Sequence, residues 1–230
     1  MSVRRTVLAD SERAARRAAD LMSNAINDAR MRGADVHFAV AGGSTPKRAY
    51  ELLAQMQGTW SHVHLWLGDE RCVPPDDPES NQRMLDESLV SKLRAVDGPH
   101  LHPVRGDLRP EDAAWLYATE VVRTMGEQPM FDLGLLGLGE DGHTASLFPG
   151  HPAAGAEHAP VIPVRDAPKP PPERITLTMP VLRRARFTLL LATGEGKRDA
   201  LARVQAGDEE VPAGRLGDRI DEIVCDEAAL

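Results

Sequence analysis

The feature that most constrains the fold of this 230-residue chain is an alternation. Short β-prone runs recur along it: VHFAV (36–40), HVHLWL (62–67), FDLGLLGLG (131–139), RITLTM (174–179), FTLLLA (187–192) and DEIVCD (221–226). Segments of helical period separate them. The clearest is 10–32, where Ala, Leu, Met and Ile recur at helical spacing among Arg, Glu and Asp. Asp10 or Ser11 can cap this helix and Gly33 can stop it. Further helices are expected over 46–57, 81–94 and 109–125, briefly after Pro180, and from TGEGK to about 205. The run at 131–139 is apolar at nearly every position, as in a strand covered on both faces. LHPV (101–104) is a short strand at best. The seven prolines of 151–173 make that stretch an irregular connection, with a brief strand near VIPV. Alternation of this kind predicts one α/β domain over 1–230, a three-layer α/β/α arrangement with a mostly parallel central sheet. The segment after Gly207 shows little pattern.

Charge and composition narrow the function. The net charge is −8, so a broadly basic surface for nucleic acid is not expected. An anionic ligand would need a local cluster of donors. The only lysines are Lys47, Lys92, Lys169 and Lys197. Cys72 and Cys225 stand far apart, neither in a CxxC pattern, which suggests no zinc or redox motif and fits a reducing cytoplasm. MSVRRTVLAD has no apolar core of a signal peptide, and no apolar run approaches ~18 residues, so neither secretion nor a membrane span is expected. His62 and His64 share one face of a strand, but no third ligand stands at a suggestive spacing, and they and HLHP (100–103) read as structural. No GxSxG elbow is present.

In a sheet of this type ligands bind beyond the carboxyl ends of the strands, and four loops there carry unusual residues. In AGGSTPKRAY (41–50), Gly42 and Gly43 follow a strand, and Ser44 or Thr45 can cap the helix that Pro46 opens. Free N–H groups and the positive helix end would suit a phosphate, unless this is an ordinary tight turn. The loop is neither GxGxxG nor a Walker A sequence, so neither a dinucleotide nor ATP is indicated. In GDERCVPPDDPESN (68–81), Asp69, Glu70 and Arg71 either serve a site or pair with one another in solvent. In LLGLGEDGHTASLFPG (135–150), His143 titrates near neutrality, and Glu140 and Asp141 are close enough to orient or polarise it. Its glycines leave room for a substrate; the alternative is a loop histidine with a structural hydrogen bond. Arg174 and Lys197 are cations at strand ends. The helix dipole slightly disfavours the charge of Lys197, a conflict that a bound anion would remove; otherwise the two are surface cations.

Taken together, AGGSTP, GDERCVPPDDPESN, FDLGLLGLGEDGHTASLFPG and PPERITLTMPVL…FTLLLATGEGKRDAL resemble the 6-phosphogluconolactonase family, in the family's order and over nearly the whole chain. GEDGHTASLFPG is the most specific block. The resemblance implies the Rossmann-like fold shared with glucosamine-6-phosphate deaminases. It also implies hydrolysis of 6-phospho-D-glucono-1,5-lactone to 6-phospho-D-gluconate in the oxidative pentose phosphate pathway, with no metal or organic cofactor. The partner implied is a small sugar-phosphate lactone. The deaminases follow their histidine with a segment like HIAFNEP, which supplies a further acid. Here TASLFP follows His143, and no acid stands between Asp141 and Glu157. The alternatives are an amino-sugar-phosphate deaminase or isomerase on the same fold, and a sugar-phosphate sensor that keeps only the binding loops.

The site expected on this resemblance has two parts. Gly42, Gly43, Ser44 and Thr45, with Lys197 and Arg174, hold the 6-phosphate. Neutral His143 takes a proton from the attacking water, and Asp141 holds the imidazole as a triad aspartate would. Arg71 stabilises charge on the carbonyl or the leaving ring oxygen, or belongs to the phosphate site. Asp69 orients Arg71 or a sugar hydroxyl.

Overall fold

Asp10 opens the first helix, α1 (Ser11–Arg32), by accepting the Arg13 N–H at 2.8 Å. Gly33 ends it in the left-handed region, at φ 63°, and returns its N–H to the last carbonyls. The buried face of α1 is rich in alanine (Ala14, Ala15, Ala18 and Ala19). Small side chains let the helix lie close across five strands of the central sheet. The computed structural model describes residues 3–56, 58–93 and 97–230.

The central sheet has seven parallel strands. Their order is β1 (Arg4–Leu8), β10 (Glu222–Asp226), β9 (Thr188–Ala192), β6 (Leu133–Gly137), β2 (Val36–Val40), β3 (Val63–Leu67) and β5 (His100–His102). The chain steps one way from β2 to β3 and β5, and the other way from β6 to β9 and β10. The reversal lies between β2 and β6, where Phe38 pairs with Leu133. Loops leaving two such neighbours diverge and open a crevice at their carboxyl ends. Helices α2 (Ser44–Leu53), α3 (Asn81–Ser88), α4 (Pro110–Met125), α5 (Met179–Leu182) and α6 (Arg198–Gln205) complete the frame.

Several local expectations change. Helix α2 starts at Ser44, two residues before the expected Pro46, because Gly43 is the N-cap and neither Ser44 nor Thr45 supplies a capping side chain. The ends expected at Gln57 and Arg94 lie outside the described residues, and α3 gives way after Ser88 to a 3₁₀ turn at Val90–Lys92. The segment Arg4–Leu8 has no apolar alternation, yet it forms the edge strand β1, mostly exposed, on the register Arg4–Glu222. The start of the 68–81 loop is also a strand. There β4 (Asp69–Arg71) pairs with β8 (Arg174–Leu177), which pairs with β7 (Val161–Val164), in a second, antiparallel sheet. This small sheet sets Arg71 directly opposite Arg174 and Asp69 opposite Thr176.

His64, the histidine of β3, has a different neighbourhood from the site loops. The His64 ring stacks on His37 and His100, and its Nδ1 lies 2.9 Å from Nε2 of His102. Parallel pairing of β2, β3 and β5 puts these rings in one row. Burial pushes His64 down to about 4, so its ring stays neutral near pH 7.

Candidate active site

The crevice between β2 and β6 is a cleft of about 270 Å³. Gly42 to Thr45, Asp69, Arg71, His143, Arg174 and Lys197 all line it. The four sequence blocks therefore converge, although up to about 150 residues separate their members.

The β2 loop forms one wall. Gly43 sits at φ 108°, a conformation open to glycine, and this turns the chain into α2. As the first residues of α2, Ser44 and Thr45 have backbone N–H groups with no helical acceptor, at the positive end of the helix. Thr45 Oγ1 shares a 2.7 Å hydrogen bond with Thr193 Oγ1, a second hydroxyl on the cleft from the end of β9. Gly42 has another cause: a Cβ there would run into the amide of Asn81. Asn81 in turn donates to the Asp69 carbonyl at 3.0 Å, so β2, β4 and α3 are locked together.

The β6 loop forms the floor. His143 Nδ1 lies 2.5 Å from Asp141 Oδ1. A carboxylate accepts there, so Nδ1 carries the hydrogen and Nε2 keeps its lone pair. Burial pushes the imidazole below the ordinary histidine value, and Lys169 adds to this, against the pull of Asp141 and Asp69. Burial raises Asp141, but the hydrogen bond and charge of His143, with Lys169, outweigh it and hold the carboxyl below its usual range. Near pH 7 the pair is thus a neutral imidazole on an ionised carboxylate. Glu140, the other acid of this loop, turns away: a Cβ on Gly196 would lie 2.9 Å from its carboxylate, beside Lys197.

The glycines of this loop serve the histidine more than a ligand. A Cβ on Gly139 would occupy the place of the His143 ring, and a Cβ on Gly142 would come within 2.5 Å of Val211. Gly139 has an ordinary backbone conformation, so alanine there displaces the ring without straining the chain. Gly139→Ala is expected to lower kcat by roughly 10–100-fold, as misplacement of a reacting group does, with Tm nearly unchanged. Steady-state kinetics and a thermal melt check it; wild-type kcat would exclude this role for Gly139. Val211 belongs to the pattern-poor tail, where the Ala213 N–H also donates to the Gly142 carbonyl at 3.0 Å. That tail buttresses the histidine loop.

The small antiparallel sheet forms the remaining wall. Arg71 donates from Nη1 to the Glu79 carbonyl at 2.5 Å, and its buried Nε has no partner among the described residues. Asp69 is 8% exposed and accepts the Ser146 hydroxyl at 2.6 Å. Glu70 points the other way. Its buried carboxylate accepts from the Ser80 hydroxyl and the N–H groups of Arg71, Asn81 and Gln82, which fastens β4 to the start of α3. Arg174 is 4% exposed, and most of its donors are spent on the protein: the carbonyls of Lys169, Pro170 and Pro171 at 2.9–3.1 Å, and Ser146 Oγ at 3.4 Å. Lys197 is half-buried at the mouth. Burial pulls its ammonium down, partly offset by Glu140.

The sequence reading missed Thr193, which lines the cleft, and Lys169, which lies beside Asp141. Thr193 has no signal beyond following a strand. Lys169 sits in a proline-rich connection, and only the fold brings its Nζ to 3.9 Å from Asp141 Oδ1.

Comparison with known proteins gives a consistent picture. The family model described as "Glucosamine-6-phosphate isomerases/6-phosphogluconolactonase" matches residues 9–225. The 6-phosphogluconolactonase of Streptomyces coelicolor is 37% identical over 91% of this chain and 85% of its own length. That of Homo sapiens is 41% identical over 78% of this chain and 73% of its own. The solved 6-phosphogluconolactonase from Trypanosoma cruzi superposes with a TM-score of 0.86 at 28% identity, covering 99% of this chain and 98% of that one.

Proposed function

The chain belongs to the glucosamine-6-phosphate isomerase/6-phosphogluconolactonase family, and from that premise we propose that it is the lactonase: it hydrolyses 6-phospho-D-glucono-1,5-lactone to 6-phospho-D-gluconate in the pentose phosphate pathway, in the cytoplasm. The observation that carries this reading is the His143–Asp141 pair on the same cleft as a donor-lined helix start.

The 6-phosphate sits at the start of α2, on the N–H groups and hydroxyls of Ser44 and Thr45, with the Thr193 hydroxyl and the Lys197 ammonium. The Arg71 guanidinium, on the cleft wall, donates to charged substrate oxygens. With the phosphate fixed, C1 of the lactone lies over His143. Nε2 removes a proton from water as the water oxygen adds to C1. Asp141 stabilises the imidazolium so formed. Collapse of the tetrahedral intermediate breaks the bond from C1 to the ring oxygen, and the imidazolium returns the proton to that oxygen. Asp69 orients a sugar hydroxyl, with Ser146 and Arg174 holding its carboxylate in place.

Freshly generated lactone in a pH-stat or dehydrogenase-coupled assay tests this. The expected result is a rate well above spontaneous hydrolysis. No excess rate overturns it, and ammonia release from glucosamine 6-phosphate would favour the deaminase. Lys197→Ala is expected to raise KM by roughly 10–100-fold with little change in kcat, since it removes a charged contact made equally in ground and transition states. An unchanged KM would remove Lys197 from the phosphate site.

A further inference from the structure

Lys169 is placed with unusual care for a lysine. It lies in PKPPP, where the prolines fix the backbone and limit its freedom. The Arg174 guanidinium grips the carbonyls of 169, 170 and 171, and the Ala167 N–H closes the base of the loop on the Pro172 carbonyl at 3.0 Å. The outcome is an ammonium 3.9 Å from the Asp141 oxygen that His143 uses, with a side chain 41% exposed. Nothing in the lactone chemistry above requires it.

We propose that Lys169 is a positioning residue: its ammonium holds the Asp141 carboxylate in line with His143 Nδ1 and opposes the positive charge that premature protonation of His143 would add. Arg174 then acts at one remove, as the anchor of the loop that presents Lys169. The inference rests on the lactonase reading for its catalytic meaning. The charges that bear on His143 come from several elements. Asp141 and Asp69 favour its cation, and Lys169 opposes it. Lys197 bears on Asp141 and Lys169 from the start of α6, with Glu140 beside it. Arg174 lies over the Phe148 ring, which His143 also contacts.

The test uses Lys169→Gln and Lys169→Arg in the full chain. Removing the cation should raise the pH at which His143 titrates in the ligand-free protein, read by NMR of the imidazole. The acid limb of kcat/KM should move up with it, and kcat should fall by roughly tenfold, the scale of a modest misplacement. Lys169→Arg should bring the midpoint back toward wild type. A midpoint unmoved or lowered in Lys169→Gln overturns the proposal, as does a rise of equal size in both variants, because charge would then not be the cause. If the midpoint rises but the wild-type protein hydrolyses no lactone, the coupling stands and the lactonase reading falls instead.

Discussion

His143→Ala is expected to lower kcat by roughly 10²–10⁴-fold, the usual contribution of a positioned general base. KM should change little, because the phosphate donors come from the β2 loop, β9 and α6 rather than from the histidine. The variant should fold: His143 packs beside Phe148 and Gly139, but no backbone bond of the sheet depends on its side chain. In the wild-type enzyme the base must be neutral to accept a proton. Activity is therefore lost as pH falls through the imidazole's own value, which burial sets below that of an ordinary histidine. The acid limb of kcat/KM should lie below about 6.5, the free imidazole value. Asp141→Asn should lower kcat and move the acid limb to lower pH, since the imidazolium loses its counter-charge. A His143→Ala enzyme within a few-fold of wild-type kcat would exclude the assignment.

Glu222→Ala is expected to cost about 3 kcal/mol of stability, the low end for breaking a buried ion pair, and to leave kcat intact. Glu222 has no exposed surface and begins β10, at the end of the sheet opposite the cleft. Its carboxylate binds Arg17 of α1 through two 2.9 Å hydrogen bonds and accepts the Thr6 hydroxyl of β1 at 2.8 Å. One side chain thus ties three elements together. The low end applies because Arg17 is partly exposed and can rehydrate when its partner is lost. Burial raises Glu222, but Arg17, Thr6 and Arg4 outweigh it and hold the folded-state value below an ordinary carboxylate. The sign follows: the contribution is fully present above the unfolded value of about 4.3 and fades as pH drops through the lower folded value. Urea midpoints at neutral and acidic pH would show it, with the gap between wild type and variant closing at low pH. A double Arg17→Met, Glu222→Met protein should recover much of the loss, because the desolvation cost of both charges goes with them. A single-variant loss under about 0.5 kcal/mol, the range of surface substitutions, would mean that the pair is not what holds β1 and α1 to the sheet.

The sequence marked the site more fully than it marked the walls around it. The His143 loop, the Gly-Ser-Thr turn and the cations at 71, 174 and 197 all stand on the cleft, and each lies next to a strand that its own apolar run announces. The strand β1 was hidden because an exposed edge strand does not need alternating apolar residues; its register comes from Glu222, more than two hundred positions away. The strand β4 was hidden because three charged residues, DER, carry no β signal, and its pairing with β8 is a property of the partner. Local periodicity reports burial only where the chain buries itself by its own pattern.

The sequence by itself determined the α/β alternation, the frame of the parallel sheet, the ends of α1 and the identity of the chemical groups. Those depend on short-range rules: apolar period, capping and the φ freedom of glycine. The tertiary structure decided how those groups are used. Gly139 makes room for the histidine, Val211 supports the loop from a tail without pattern, and Arg174 spends its donors on the proline loop. Lys169, unremarkable in the chain, stands beside the aspartate. The contacts of Val211 and Lys169 join residues tens of positions apart, and the nearer ones depend on how each loop folds back on itself; distance in space is the one quantity that spacing along the chain does not encode.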